Sequence, residues 1–160
     1  MTLRLKRPVK HGLYIIGAAI TAIIVINGYF SSPSYQSEAL HTYLEKEIAW
    51  KNHNGVITDA FKIYGSTDDE LYLWYLFEEW DVDNQTVKSA ASLPLIIELN
   101  NRGEAIGHKI PEDGALYPES MKELFPFHVS VRMPKNGAPS SIVQAVKMQQ
   151  EDLSREEDIE

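Results

Sequence analysis

Residues 71–80 read LYLWYLFEEW, ten residues in which both alternating sets are apolar. Leu71, Leu73, Tyr75 and Phe77 point to one side of an extended chain, and Tyr72, Trp74, Leu76 and Trp80 to the other. A strand that is apolar on both faces belongs in the middle of a sheet with both faces covered. The neighbouring segments supply that sheet. Val56–Tyr64 is rich in β-branched and aromatic residues and reads as a strand, separated from Leu71 by the turn Gly65-Ser66-Thr67-Asp68-Asp69. Asp81–Gln85 makes the next turn, and Thr86–Leu99 is a third strand, clearest at Leu93–Leu99. Pro94 removes one ladder donor there and predicts a bulge or a local edge. Asn100-Asn101-Arg102-Gly103 is a hairpin turn by composition, and Glu104–Ile110 a fourth strand.

Helical spacing flanks this meander. Leu40, Tyr43, Leu44 and Ile48 mark a helix from Glu38 to Lys51, closed by Asn52-His53-Asn54-Gly55 with Gly55 suited to a left-handed terminus. After the turn Pro111-Glu112-Asp113-Gly114, Pro118 fits the first turn of a short helix over Glu119–Leu124. Residues 127–133 (FHVSVRM) alternate strictly between prolines 126 and 134 and read as a fifth, edge strand. Residues 134–140 form a loop, and Ile142, Val143, Val146 and Met148 allow a terminal helix. The last ten residues hold six acids and one base and are expected to stay solvated and mobile. One helix followed by an antiparallel meander gives an α+β fold, with the 38–51 helix laid across a curled sheet of 4–5 strands. That order matches cystatin-like and NTF2-like domains by analogy only, and such folds host many functions.

The N-terminal segment is of another kind. From Gly12 to Phe30 the chain reads GLYIIGAAITAIIVINGYF, 19 residues without a charge, and the next charge is Glu38. A helix of that length covers about 28 Å, close to the ~30 Å hydrocarbon core of a bilayer. Tyr14, Tyr29 and Phe30 sit where aromatic rings favour the interface, and Arg4, Lys6, Arg7 and Lys10 precede the segment. The expected organisation is a cytoplasmic flank over 1–11, a single-pass signal anchor over 12–30, a linker over 31–36, an extracytoplasmic domain over 37–133 and an appendage over 134–160. Secretion after signal cleavage is the alternative; against it stand the length of the apolar run and the lack of a small-x-small site near 26–34. Gly17 and Thr21 have small-xxx-small spacing, which is common by chance.

Charge narrows the partners. Of 15 basic residues four precede residue 31, leaving 11 against 23 acidic ones, a net −12 for the rest of the chain. A domain this acidic is expected to repel nucleic acid and anionic lipid headgroups, so both are poor partners. The absence of cysteine removes disulfides, thiolate metal sites and a thiol nucleophile.

Chemistry-bearing patterns are few. Asp81-x-Asp83-Asn84-Gln85 starts like a calcium loop but has Thr86 and Ser92 where that loop needs glycine and glutamate, so it reads as a hairpin turn. Glu78 and Glu79 read as a strand end emerging into water; a carboxylate beside aromatics with a raised pKa is the functional alternative. His11, His41, His53, His108 and His128 have no ligand spacing, no serine lies in a nucleophile elbow, and no glycine-rich phosphate loop is present. No cofactor is implied. The aromatic set Tyr72, Trp74 and Trp80 is the one candidate contact surface, as a pocket or a partner groove; burial in a core is the plainer reading.

Three runs taken together, 65–84 (GSTDDELYLWYLFEEWDVDN), 92–99 (SLPLIIEL) and 109–126 (KIPEDGALYPESMKELFP), carry a resemblance. They resemble a group of small secreted or membrane-anchored proteins of Bacillus-type bacteria. In that group an aromatic strand, a Pro-bearing apolar strand, a Pro-x-Asp-Gly turn and a short helix ending in Phe-Pro follow one another. The resemblance spans roughly 56–126, and its most specific part is the turn at 111–114 with Tyr117 and Phe125-Pro126. The group is uncharacterised and hands over no catalytic residue; it implies an outer location and one compact domain. Residues 127–140 depart from the helical ending it implies. The function expected from all of this is a non-enzymatic binding or accessory module of the cell envelope, held by membrane lipid through 12–30 and meeting an envelope protein. The alternatives are a small hydrolase with a pocket at the aromatic strand, or a protease-inhibitor-like domain.

Overall fold

The computed structural model describes residues 35–157, with side chains through Arg155. The basic flank and the membrane segment expected at 12–30 lie outside the described residues. Among the described residues no helix is long and apolar enough to cross a membrane.

The fold is α+β. Helix α1 (Ser37–Glu47) places Leu40, Leu44 and Ile48 on one stripe, and its last turn closes where the Ile48 N–H meets the Leu44 carbonyl at 3.0 Å. Four strands follow as a meander: β1 (Val56–Ser66), β2 (Glu70–Asp81), β3 (Thr86–Leu99) and β4 (Ala105–Lys109). All pairs are antiparallel and the spatial order is β1-β2-β3-β4. A short 3-10 turn (Gly114–Leu116) leads into α2 (Tyr117–Leu124), a single-turn α3 (Phe127–Ser130) and α4 (Ser140–Glu157).

The register puts β2 between β1 and β3, with Phe61 opposite Tyr75 on one side and Leu93 opposite Tyr75 on the other. Its two side-chain sets then enter two separate cores. Leu71, Leu73, Tyr75 and Phe77 meet Leu40, Leu44 and Ile48 of α1 together with Leu95, Ile97 and Leu99 of β3. Tyr72, Trp74 and Leu76 meet Ile96, then Phe125, Val129 and Met133, then Ile142 and Val146 of α4. The sheet is therefore the middle layer, with α1 on one face and the C-terminal helices on the other.

Two expectations change. Residues 127–133 do not form a fifth strand. Phe127–Ser130 is helical, and the Val131 N–H bonds to the Phe127 carbonyl at 3.1 Å. Residues four apart on a helical turn share a side just as alternate residues do on a strand, so Val129 with Met133 and Phe127 with Val131 satisfy both patterns. The fold also runs past 133, because Ile142 and Val146 of α4 belong to the second core and α4 continues through the acidic residues to Glu157.

Close packing explains one glycine. A Cβ on Gly65, at the β1 bulge, would lie 2.8 Å from Val129 Cγ2, so the bare backbone there seats the α3 turn on the sheet. Leu44 is fully buried whereas Met148 is 63 % exposed. Leu44→Ala should cost about 2–5 kcal/mol by leaving a cavity, and Met148→Ala within about 0.5 kcal/mol. Urea unfolding of the two variants checks this contrast.

Candidate functional site

Strand lengths create the most distinctive surface. β3 has 14 residues and β4 only 5. β4 pairs with Ile96–Leu99 alone, so from Thr86 to Leu95 the strand has β2 on one side and, among the described residues, no strand partner on the other. Pro94 lies in this stretch, where a missing ladder donor costs nothing on the open side. Pro94 thus marks a local edge, as its chemistry predicts.

A cleft of about 670 Å³ runs along that edge. Ala91, Ser92, Leu93 and Pro94 form its floor. Trp50, from the loop after α1, walls the α1 side, and Trp74 the opposite face of the sheet. Ile110, Pro111 and Tyr117 close one end, with Asp113 and Lys135 bringing charge. Trp50 is held edge-on against Phe77, ring centroids 4.6 Å apart at 87°, yet stays 46 % exposed. Trp74 is buried, and its indole N–H donates to Ser92 Oγ at 2.8 Å. Its one polar atom is satisfied within the protein, so it offers a ring rather than a hydrogen bond. The Tyr117 phenol is pushed up by burial and by the Asp113 charge.

Of the three aromatics singled out in the sequence, Tyr72 and Trp74 share the second core, only Trp74 reaches the cleft, and Trp80 lies apart. Tyr72 packs on Phe125 at 6.0 Å and donates its hydroxyl to Glu70 Oε2 at 2.7 Å; burial and the Glu70 carboxylate push its phenol up to about 12. Trp74 lines the cleft. Trp80 lies six residues farther along β2 and borders a separate open depression with Gln150 and Ser154 of α4. Its indole N–H is buried without a hydrogen-bond partner among the described residues. Trp50 and Ser92, which complete the cleft, were not singled out by the sequence; the only signal was a third strand reaching well past the fourth.

Of the two carboxylates expected to emerge into water, Glu78 does so only in part and Glu79 not at all. Gln150 Nε2 donates to Glu78 Oε2 at 2.7 Å and to Thr58 Oγ1 at 3.1 Å. Glu79 is fully buried and accepts from the backbone N–H groups of Asn52 (2.8 Å), His53 (2.7 Å) and Gly55 (3.0 Å) and from the Ser89 hydroxyl (2.9 Å). Burial acts to raise its carboxyl, but these four donors outweigh it and hold the group at about 2. The loop bends to reach it: Asn54, not Gly55, takes the left-handed conformation (φ 61°). Gly55 serves a different need, since a Cβ there would lie 2.6 Å from the Trp80 carbonyl oxygen and 2.8 Å from Glu79 Cγ.

The remaining polar clusters are also closed on themselves. Asp81 pairs with Lys88 at 2.8 Å and accepts from the Asn84 backbone and side chain, which hold its carboxyl at about 2. This is a capped hairpin turn rather than a cation loop. No group of three or more metal-ligating side chains forms among the described residues. His41 Nδ1 lies 3.3 Å from Asp59 Oδ2, and the buried Tyr75 hydroxyl donates to the same oxygen at 2.7 Å. Burial raises the Asp59 carboxyl against the pull of both neighbours. That cluster ties α1 to β1 and β2. The chain matches no protein-family model, no curated protein and no solved structure.

The Glu79 carboxyl moves from an ordinary 4.5 down to about 2 in the fold. Its contribution to stability is complete above the unfolded value and is lost as pH falls through the folded one. The stability gap between wild type and Glu79→Gln should therefore be widest above pH ~5 and narrow steadily toward pH ~2. Urea midpoints measured across that range give the answer; a constant gap would show that the carboxylate's charge is not what holds the loop.

Proposed function

We propose that this chain is a membrane-anchored extracytoplasmic module that binds an extended segment of another envelope protein, and that it is not an enzyme. The observation that carries the reading is the unpaired stretch Thr86–Leu95 of β3 beside a cleft walled by two tryptophans. An extended segment can add main-chain hydrogen bonds to such an edge while alternate side chains enter pockets on the two faces of the sheet. Here those pockets are Trp50 on the α1 face and Trp74 with Tyr117 on the other. Trp and Tyr supply large contact area at low entropic cost, which suits recognition. The edge offers small side chains at Ser89, Ala90, Ala91 and Ser92, so a second backbone can approach.

The placement in the membrane rests on residues 12–30, whose length and flanks match a signal anchor. Secretion after cleavage leaves the same cleft on the same domain. The resemblance to small membrane-anchored proteins of Bacillus-type bacteria and the analogy to cystatin-like and NTF2-like domains belong to this reading as well. A hydrolase is the second reading, favoured by Asp113, Tyr117 and Lys135 sharing the cleft with Trp74. It requires turnover of some ester or amide that Asp113→Asn abolishes.

A photo-crosslinking residue placed at Ser92 in the full-length protein should trap one envelope protein in intact membranes, and the adduct should be lost in Trp50→Ala. The same group at Asp83, in the β2–β3 turn, should trap nothing. Equal adducts from both positions, or adducts indifferent to Trp50, would contradict edge recognition.

A further inference from the structure

We infer that Asn136–Gly137, on the rim of the cleft, is a self-modification site that converts slowly to aspartate and isoaspartate, while the fold locks a second Asn–Gly pair at 54–55 against the same reaction. Asn–Gly occurs at 27–28, 54–55 and 136–137. The first pair lies outside the described residues, and the other two have opposite surroundings.

Asparagine followed by glycine is arranged for attack on itself. The glycine amide nitrogen, once it has given its proton to hydroxide, adds to the asparagine side-chain carbonyl carbon. A new C–N bond forms, the Cγ–Nδ2 bond breaks, ammonia leaves and a cyclic imide remains. Water then opens one of the two imide carbonyls, giving aspartate or isoaspartate. Glycine favours the step because no Cβ obstructs the approach. Two local conditions decide the rate: the amide nitrogen must be free to turn toward the side chain, and it must be able to lose its proton.

Neither condition holds at Asn54–Gly55. The Gly55 N–H donates to Glu79 Oε1 at 3.0 Å, which ties the nitrogen to the sheet. The carboxylate's negative charge at that distance disfavours an amide anion, and a group held at about 2 is too weak a base to take the proton itself. Gly55 is also buried and wedged against the Trp80 carbonyl. Both conditions hold at Asn136–Gly137. The two residues are exposed in the loop between α3 and α4, and neither makes a hydrogen bond among the described residues. Nothing lies within 4 Å of the place a Gly137 Cβ would take. Such a segment opens at little cost. Lys135, Asn136 and Gly137 line the cleft with Asp113, so the reaction puts a carboxylate on its rim in place of a neutral amide. What that does to an incoming segment rests on the edge-binding reading proposed above; the modification itself does not.

The full-length protein, aged in mildly alkaline buffer and followed by mass spectrometry of its proteolytic peptides, tests this. In the native protein residue 136 should convert about tenfold or more faster than residue 54. In concentrated urea the two rates should converge, because unfolding frees Gly55 from Glu79. In the native state Glu79→Gln, which removes the charge, should speed conversion at 54, and Gly137→Val should suppress it at 136. Native rates that are equal, or a difference that persists unchanged in urea, overturn the inference, since local sequence rather than the fold would then set the rates. The bearing on the cleft is read separately. Asn136→Asp should lower the yield of the adduct from the crosslinker at Ser92. An undiminished adduct removes the effect on binding while the modification stands, and no adduct even with Asn136 intact counts against edge recognition alone.

Discussion

Everything in the described fold depends on β2 having no polar face. A strand with Leu, Tyr and Phe on one side and Tyr, Trp and Leu on the other is stable only when two layers cover it. The chain meets that demand twice. α1 is laid down before the sheet, and α2, α3 and α4 after it, so the sheet closes between an early and a late layer. Adjacent residues of β2 and β3 enter opposite sides, so both strands are shared by the two cores, and β1 adds Phe61 and Ile63 to one and Ala60 and Tyr64 to the other. Lengthening β3 beyond β4 then leaves one part of the middle layer with a free edge, and that is where the cleft lies.

Polar groups at the far end of β2 act as fasteners rather than chemistry. Glu79 gathers three backbone donors from the loop after α1 and one hydroxyl from β3, fixing the start of β1 against the base of the next hairpin. Gln150 fastens α4 to Glu78 and Thr58, while the Gln149 side chain accepts from and donates to the Asp59 backbone at 3.0 and 2.8 Å, completing hydrogen bonds on the outer edge of β1. Each layer is thus held to the sheet by a buried amide or carboxylate in addition to apolar contact. These groups have their bonding capacity used internally, which favours a site made of shape and aromatic surface over one made of reactive groups.

The meander and α1 were legible because their signals are local: alternation, turn residues and an i, i+4 stripe. Residues 127–133 misled because FHVSVRM fits a period of two and a helical turn equally, and only the need to bury Val129 and Met133 together against Gly65 decides between them. The role of Glu79 was hidden because its partners are main-chain amides 24 to 27 residues away, which no side-chain pattern announces. The cleft was half legible. Trp74 was singled out, but its partner Trp50 lies beyond the end of α1, and the open edge follows from the shortness of β4 rather than from anything in β3 itself. Tyr72 and Trp80 shared a face with Trp74 by alternation, yet a strand spreads alternate residues over about 7 Å each, so sharing a face did not mean sharing a site.

If β2 is the covered middle of a two-sided core, amide hydrogen exchange of the full-length protein will show it. The amides of Leu71–Phe77 should be the slowest in the domain and exchange only by global unfolding, while those of β3 facing the open edge at Thr86–Leu93 should exchange quickly. Protection of β2 no greater than that of the open β3 edge would contradict it.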